Sequence, residues 1–194
     1  MEFGSHLDAS VSLAVELVNA LTPTHEQSRA LGSLDAEQRR WRLVAALGDR
    51  ENRARAARSA TADEIAAADE AARLLRRVFA AAQDGDLDAA AIAINEVLHR
   101  FEARPELSRH DERPWHLHFD AGAEGLAAGL AASSATALAL VVNDSGTDRL
   151  GVCDAEACER VYVDTSRNAS KRYCSTACQN RTKAAAFRAR RAAG

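Results

Sequence analysis

With 194 residues, 47% of them hydrophobic, 27% charged and only three proline, the chain has room for one medium domain plus a small module and is composed for helices. The net charge of −3 hides an asymmetry: from Arg149 to Gly194 ten Lys/Arg meet four acids, giving +6, and the remainder carries −9. The longest apolar run, "LAAGLAASSATALALVV", is too weakly hydrophobic for a membrane span and no secretory segment is recognisable, so a cytoplasmic protein is expected.

The opening "MEFGSH" resembles vector-derived residues, and the fold is read from residue 7 onward. "SVSLAVELVNAL" places Val11, Leu13, Ala14, Leu17, Val18 and Leu21 at helical spacing, bounded by Pro23. "SLDAEQRRWRLVAALG" predicts a second helix with Ser33 as N-cap, Gly48 beyond its end, and an apolar face of Leu34, Trp41, Val44, Ala45 and Leu47. Thr61 and Glu64 have capping-box spacing ahead of a stripe of Ile65, Ala68, Ala72, Leu75, Val78 and Phe79, stopped at Gly85. Asp86 caps a further helix with Ile92, Ile94, Val97, Leu98 and Phe101. In "PWHLHFDAG", which follows Leu107 and a polar turn, Trp115, Leu117 and Phe119 alternate with His116 and His118, the period of a strand and one arm of a hairpin. "AEGLAAGLAASSATALALVVND" returns to helix and ends near "NDSG".

The charge shift and that loop set a boundary near residue 148, giving a helical domain over 7–148 and a small module over 149–194. All four cysteines, Cys153, Cys158, Cys174 and Cys178, fall in the small module as C-x4-C-x15-C-x3-C. In a reducing compartment this cluster favours a metal over disulfides. A structural Zn²⁺ held by four thiolates accounts for it best; free buried cysteines, two disulfides or an iron–sulfur cluster are the alternatives. Four thiolates leave no open position for a catalytic water. A wrapped loop would carry the first pair, and the first turn of a helix from about Ser175 the second, where the helix N-terminus favours negative charge. The expected fold is mainly α (α+β): a helical domain with a small β-hairpin, then a treble-clef-like finger ending in a basic helix.

"CDAEACERVYVDTSRNASKRYCSTACQNRTKAAAFRARR" resembles a CGNR zinc finger, whose name follows the residues from its last cysteine. Here they are Cys178, Gln179, Asn180 and Arg181, with glutamine in the glycine's place. "LAVELVN", "WRLVAALG" and "WHLHFD" are similar to the ABATE domain that precedes this finger in bacterial transcription regulators linked to stress. The resemblance implies zinc, double-stranded DNA as partner and a role in transcription.

From Arg167 onward there are eight bases and no acid. Arg167, Asn168, Lys171 and Arg172 lie between the cysteine pairs; Asn180, Arg181, Lys183, Arg188, Arg190 and Arg191 lie on or beyond the final helix. These ten form the candidate DNA surface, with Arg181 and Asn180 nearest the metal and Arg188 to Arg191 as a solvated end. The acidic helical domain is suited to sensing a small-molecule effector or to forming a homodimer. Its candidate pocket residues are Asn19, Trp41, Trp115, His116 and His118, although Trp41 and Trp115 read more simply as core, His116 and His118 as solvent-facing, and Asn19 as bonding a neighbouring turn. No nucleophile–base pair or phosphate loop is recognisable, so an enzyme is not expected. The competing reading is a zinc-stabilised interaction module that docks a partner or its own helical domain without binding nucleic acid.

Overall fold

The computed structural model describes residues 5–26, 29–109, 115–119 and 125–192. Among them are seven helices and three two-stranded antiparallel ribbons. Helix α1 (Ser5–Leu21), the short β1 (His25–Glu26) and β2 (Arg29–Ala30), α2 (Ala36–Leu47), α3 (Glu51–Ser59), α4 (Ala62–Gln83) and α5 (Leu87–Arg100) come first. Then follow β3 (Glu106–Ser108), β4 (His116–His118), α6 (Leu126–Ser145), β5 (Leu150–Val152), β6 (Val161–Val163) and α7 (Thr176–Ala192). Residues 1–4 of the opening hexapeptide lie outside the described residues, and Ser5 and His6 begin α1.

Helix α4 is the centre of the bundle, packed against α1, α5, α6 and β5. Its whole predicted stripe, Ile65 to Phe79, is buried. Thr61 caps it in a complete capping box: the Thr61 hydroxyl accepts from the Glu64 N–H, and the Glu64 carboxylate accepts from the Thr61 N–H at 2.7 Å. Asp86 caps α5 by accepting from Ala89. Small side chains let the axes approach: Ala68, Ala71, Ala72, Ala131 and Ala135 are buried where α4 and α6 enter the core. Helix α6, expected to be too weakly hydrophobic for a membrane span, is in fact long and apolar enough by length and composition alone, but ten of its residues, including Leu130, Leu138 and Val141, are buried within the fold.

The structure corrects several expectations, among them Ala45 on the apolar face of α2, which is exposed. Helix α2 is capped by Asp35, not Ser33, in a capping box with Gln38. It turns Leu43 and Leu47 inward and leaves Trp41 72% exposed. Trp115 is 64% exposed and Ile92 also faces solvent, so neither tryptophan is core. Helix α3 was not expected, because "ENRARAARS" offers no large apolar residue; only Ala54 and Ala57 are buried. The strand over residues 116–118 does form, pairing Leu107 with Leu117.

The β5–β6 hairpin belongs to the same core as the helices. Leu150, Val161 and Val163 join the bundle's main hydrophobic cluster, while Tyr162 points to the opposite face across Gly151. A Cβ on Gly151 would lie 2.7 Å from the Tyr162 hydroxyl and 3.2 Å from Gln83 Oε1. The tyrosine cannot swing aside freely, because its hydroxyl donates to the Lys171 carbonyl at 2.7 Å. Burial and the nearby Asp154 and Asp164 charges push this phenol up to about 12, so it stays a donor. Gly151→Ala is expected to cost about 1–3 kcal/mol through overpacking, lowering the melting temperature by about 3–10 °C in a thermal scan against wild type.

Candidate metal centre

The loop between β5 and β6 begins at Cys153 and carries Cys158 near its end. The Cys153 N–H donates to the Arg160 carbonyl at 2.9 Å, and the Cys158 N–H to that of Ala155 at 3.1 Å. Together these bonds wrap the chain so that both thiols face one point. Ala157 sits at φ 51°, the left-handed conformation that lets the loop turn back toward β6.

The second pair straddles the start of α7. Cys174 lies before the helix and only Cys178 lies within it, which refines the expectation that both occupy its first turn. Ser175 stands between them as a cap, its hydroxyl accepting from the Cys178 N–H at 3.3 Å. The Cys174 N–H points at Cys153 Sγ at 3.4 Å, joining the two halves.

All four sulfurs lie within 4.8 Å of one another. Cys158 and Cys174 are 3.8 Å apart, Cys158 and Cys178 3.7 Å, and Cys174 and Cys178 3.5 Å. Zinc–sulfur bonds of about 2.3 Å at tetrahedral angles place sulfurs about 3.8 Å apart, so the donor set fits the ion. Burial holds the Cys153 and Cys174 thiols above the ordinary range, Cys174 further raised by its Cys178 partner and the neighbouring sulfurs. Burial also acts upward on Cys178, but hydrogen bonds from Ser175, Cys174, Arg181 and Cys158 outweigh it and bring that thiol down to about 7. Four thiolates this close need a divalent cation to coexist.

Between the cysteine pairs the chain is organised around buried Asp164. Its carboxylate accepts from the Ser166 N–H at 2.7 Å and the Lys171 N–H at 2.6 Å. Burial acts to raise its pKa, but these bonds and the Arg149 charge hold it below the usual carboxylate value. Arg149 also caps the carbonyls of Asp164 and Ser166. Asp164 was not among the candidate site residues, although an Asp two residues before a Ser in "DTSRN" has the spacing of an Asx turn.

The ten predicted DNA residues divide by environment. Lys171 donates to the Val163 carbonyl at 3.2 Å and lies over the Tyr162 ring. Arg172 pairs with Asp154 at 2.7 Å. Arg181 is partly buried and donates through Nη2 to Cys178 Sγ at 3.2 Å. Arg167, Asn168, Asn180, Lys183, Arg188, Arg190 and Arg191 are exposed, Arg191 lying over the Phe187 ring. Gln179, in the glycine's place, is exposed within α7.

Of the predicted pocket residues, Asn19 is 3% exposed and meets the small module directly. Its Nδ2 donates to the Val161 carbonyl at 3.0 Å and its Oδ1 accepts from the Val161 N–H at 2.8 Å. It does not bond a neighbouring turn. It lines a cleft of about 460 Å³ between α1 and β6, with Val11, Val15, Tyr162 and Lys171. Trp41 and Trp115 do not line this cleft. The side chains of His116 and His118 lie outside the described residues.

The geometry defines a four-cysteine zinc finger whose hairpin is built into a helical bundle and whose last ligand opens an exposed basic helix. Residues 149–191 match the family model of the CGNR zinc finger. No curated protein sequence matches the chain.

Proposed function

We propose that the chain is a cytoplasmic, non-enzymatic DNA-binding regulator, in which the zinc finger presents α7 to duplex DNA and the helical domain, of ABATE type, senses an effector or forms a homodimer. The observation that carries the reading is α7 itself. Every residue from Lys183 to Ala192 is exposed. Lys183, Arg188, Arg190 and Arg191 pair with no carboxylate among the described residues. Three of the module's four acids are committed elsewhere: Asp154 to Arg172, Glu159 to Thr24, and Asp164 to its own loop. A helix of cations with no acid beside it is suited to phosphates, where counterion release drives binding. The cleft at Asn19 lies against the finger hairpin and supplies a place for an effector to act on it.

The test is binding of a mixed-sequence duplex by fluorescence anisotropy across a salt series. Zinc-loaded wild type should bind, and replacing Lys183, Arg188, Arg190 and Arg191 with alanine should reduce the salt slope by about 3–4, close to one for each phosphate that a cation neutralises. Equal affinity and slope in the two proteins would refute the proposal. A second reading, a finger serving only protein docking, is favoured by the bonds that fasten it to its own helical domain, among them Asn19 on Val161. It predicts no duplex affinity in either protein.

A further inference from the structure

The two halves of the zinc site are held by different parts of the chain. Around Cys153 and Cys158 the support comes from the helical domain. Gln83 Oε1 on α4 accepts the Val152 N–H at 2.9 Å, immediately before Cys153. Arg76 on the same helix donates to the Glu159 carbonyl at 2.7 Å, immediately after Cys158. The Thr24 N–H donates to the Glu159 carboxylate at 2.7 Å, and the Glu159 N–H to the His25 carbonyl at 3.2 Å. Asn19 then occupies both polar groups of Val161. Side chains thus pair outer edges that a two-stranded ribbon would leave open, and Leu150, Val161 and Val163 are sealed in the bundle's core.

The second half has no such support. Cys178 is the one buried residue of α7, and no hydrogen bond or ion pair links α7 to the helical domain among the described residues. The chain leading to it is fixed as far as Arg172. The Asp154 N–H donates to the Arg172 carbonyl at 2.9 Å and Tyr162 holds Lys171, both without using a thiol. Beyond that point α7 meets the rest of the molecule mainly through sulfurs: Cys174 and Cys178 against Cys153 and Cys158.

We propose that the helical domain, through Asn19, Arg76 and Gln83, folds the β5–β6 hairpin and its Cys153/Cys158 loop without metal, and that zinc acts as a latch fixing α7 to a preformed half-site. Small zinc modules generally unfold when the ion is removed, because they lack a core of their own. Here the bundle supplies that core. The inference concerns the metal and the fold and is independent of what α7 touches.

The experiment is amide hydrogen exchange on the full chain under reducing conditions, zinc-loaded and after removal of the metal by a chelator, with zinc added back as the control. Amides of Gly151, Val152, Val161 and Tyr162 should exchange within about threefold of their zinc-loaded rates, while those of 179–183 in α7 should accelerate by about tenfold or more. Hairpin acceleration matching that of α7 would overturn the proposal, as would an α7 that keeps its protection. Gln83→Ala adds a second check. In the metal-free state its hairpin amides should exchange about tenfold faster than those of metal-free wild type, with a smaller change when zinc is bound. Metal-free exchange equal to wild type would show that the helical domain is not what holds the half-site.

Discussion

Cys178→Ala should release zinc under conditions in which wild type retains it. Cys178 is fully buried at the first turn of α7, with its sulfur 3.7 Å from that of Cys158 and 3.5 Å from that of Cys174. Its loss removes a ligand and leaves the Arg181 guanidinium facing the gap. Outer partners of a metal site typically cost 10–100-fold in affinity when removed, so loss of a thiolate should exceed about 100-fold. Competition with a chromophoric chelator at neutral pH measures it, and a variant that keeps one zinc at the wild-type chelator midpoint would contradict the assignment of Cys178 as a ligand. The pH dependence has a definite sign. Zinc takes thiolates, so acidification returns protons to sulfur and weakens binding in both proteins.

The second large effect is expected at Asn19. Asn19→Ala would leave both the N–H and the C=O of Val161 without partners in a buried setting. Each unsatisfied group costs about 1–3 kcal/mol, so a loss of about 2–5 kcal/mol is expected, a large share of the stability of a typical domain. In a chain of this size that corresponds to a melting temperature lower by roughly 5–15 °C. Asn19→Asp keeps an acceptor for the Val161 N–H but sets a carboxylate against the Val161 carbonyl, so it should rescue little. A thermal scan of both variants in saturating zinc checks this. A melting temperature within about 1 °C of wild type for Asn19→Ala would show that the amide contributes nothing net to the docking of β6.

These expectations show which parts of the molecule were legible before its fold was known. Thr61 and Glu64, Asp86 and Gly85, and the stripe from Ile65 to Phe79 signal their helices through interactions within a turn or two of the chain, and each formed as read. The cysteine pairs were legible for the same reason, since ligand spacing is a local constraint. Trp41 misled because the largest apolar side chain on α2 was assigned to the buried face, whereas packing selected Leu43 and Leu47. Helix α3 was invisible because it is anchored by two alanines. The bonds from Asn19, Arg76 and Gln83 to the finger span 142, 83 and 69 residues. No period or cap carries such information, because each bond exists only once bundle and hairpin have met. The bond from Arg181 to Cys178 Sγ was likewise not legible, because it depends on where the folded loop sets the sulfur.

Helix α7 is 17 residues long and therefore extends about 25 Å from its root at the metal. In the latch proposed above, the helix is a lever with its fulcrum at the thiolates. A tilt of about 10° at Cys178 would carry Arg191 through roughly 3–4 Å at the far end, more than the length of a hydrogen bond. The precision with which the distal arginines can be aimed is thus set by the stiffness of four sulfur contacts at the other end of the helix.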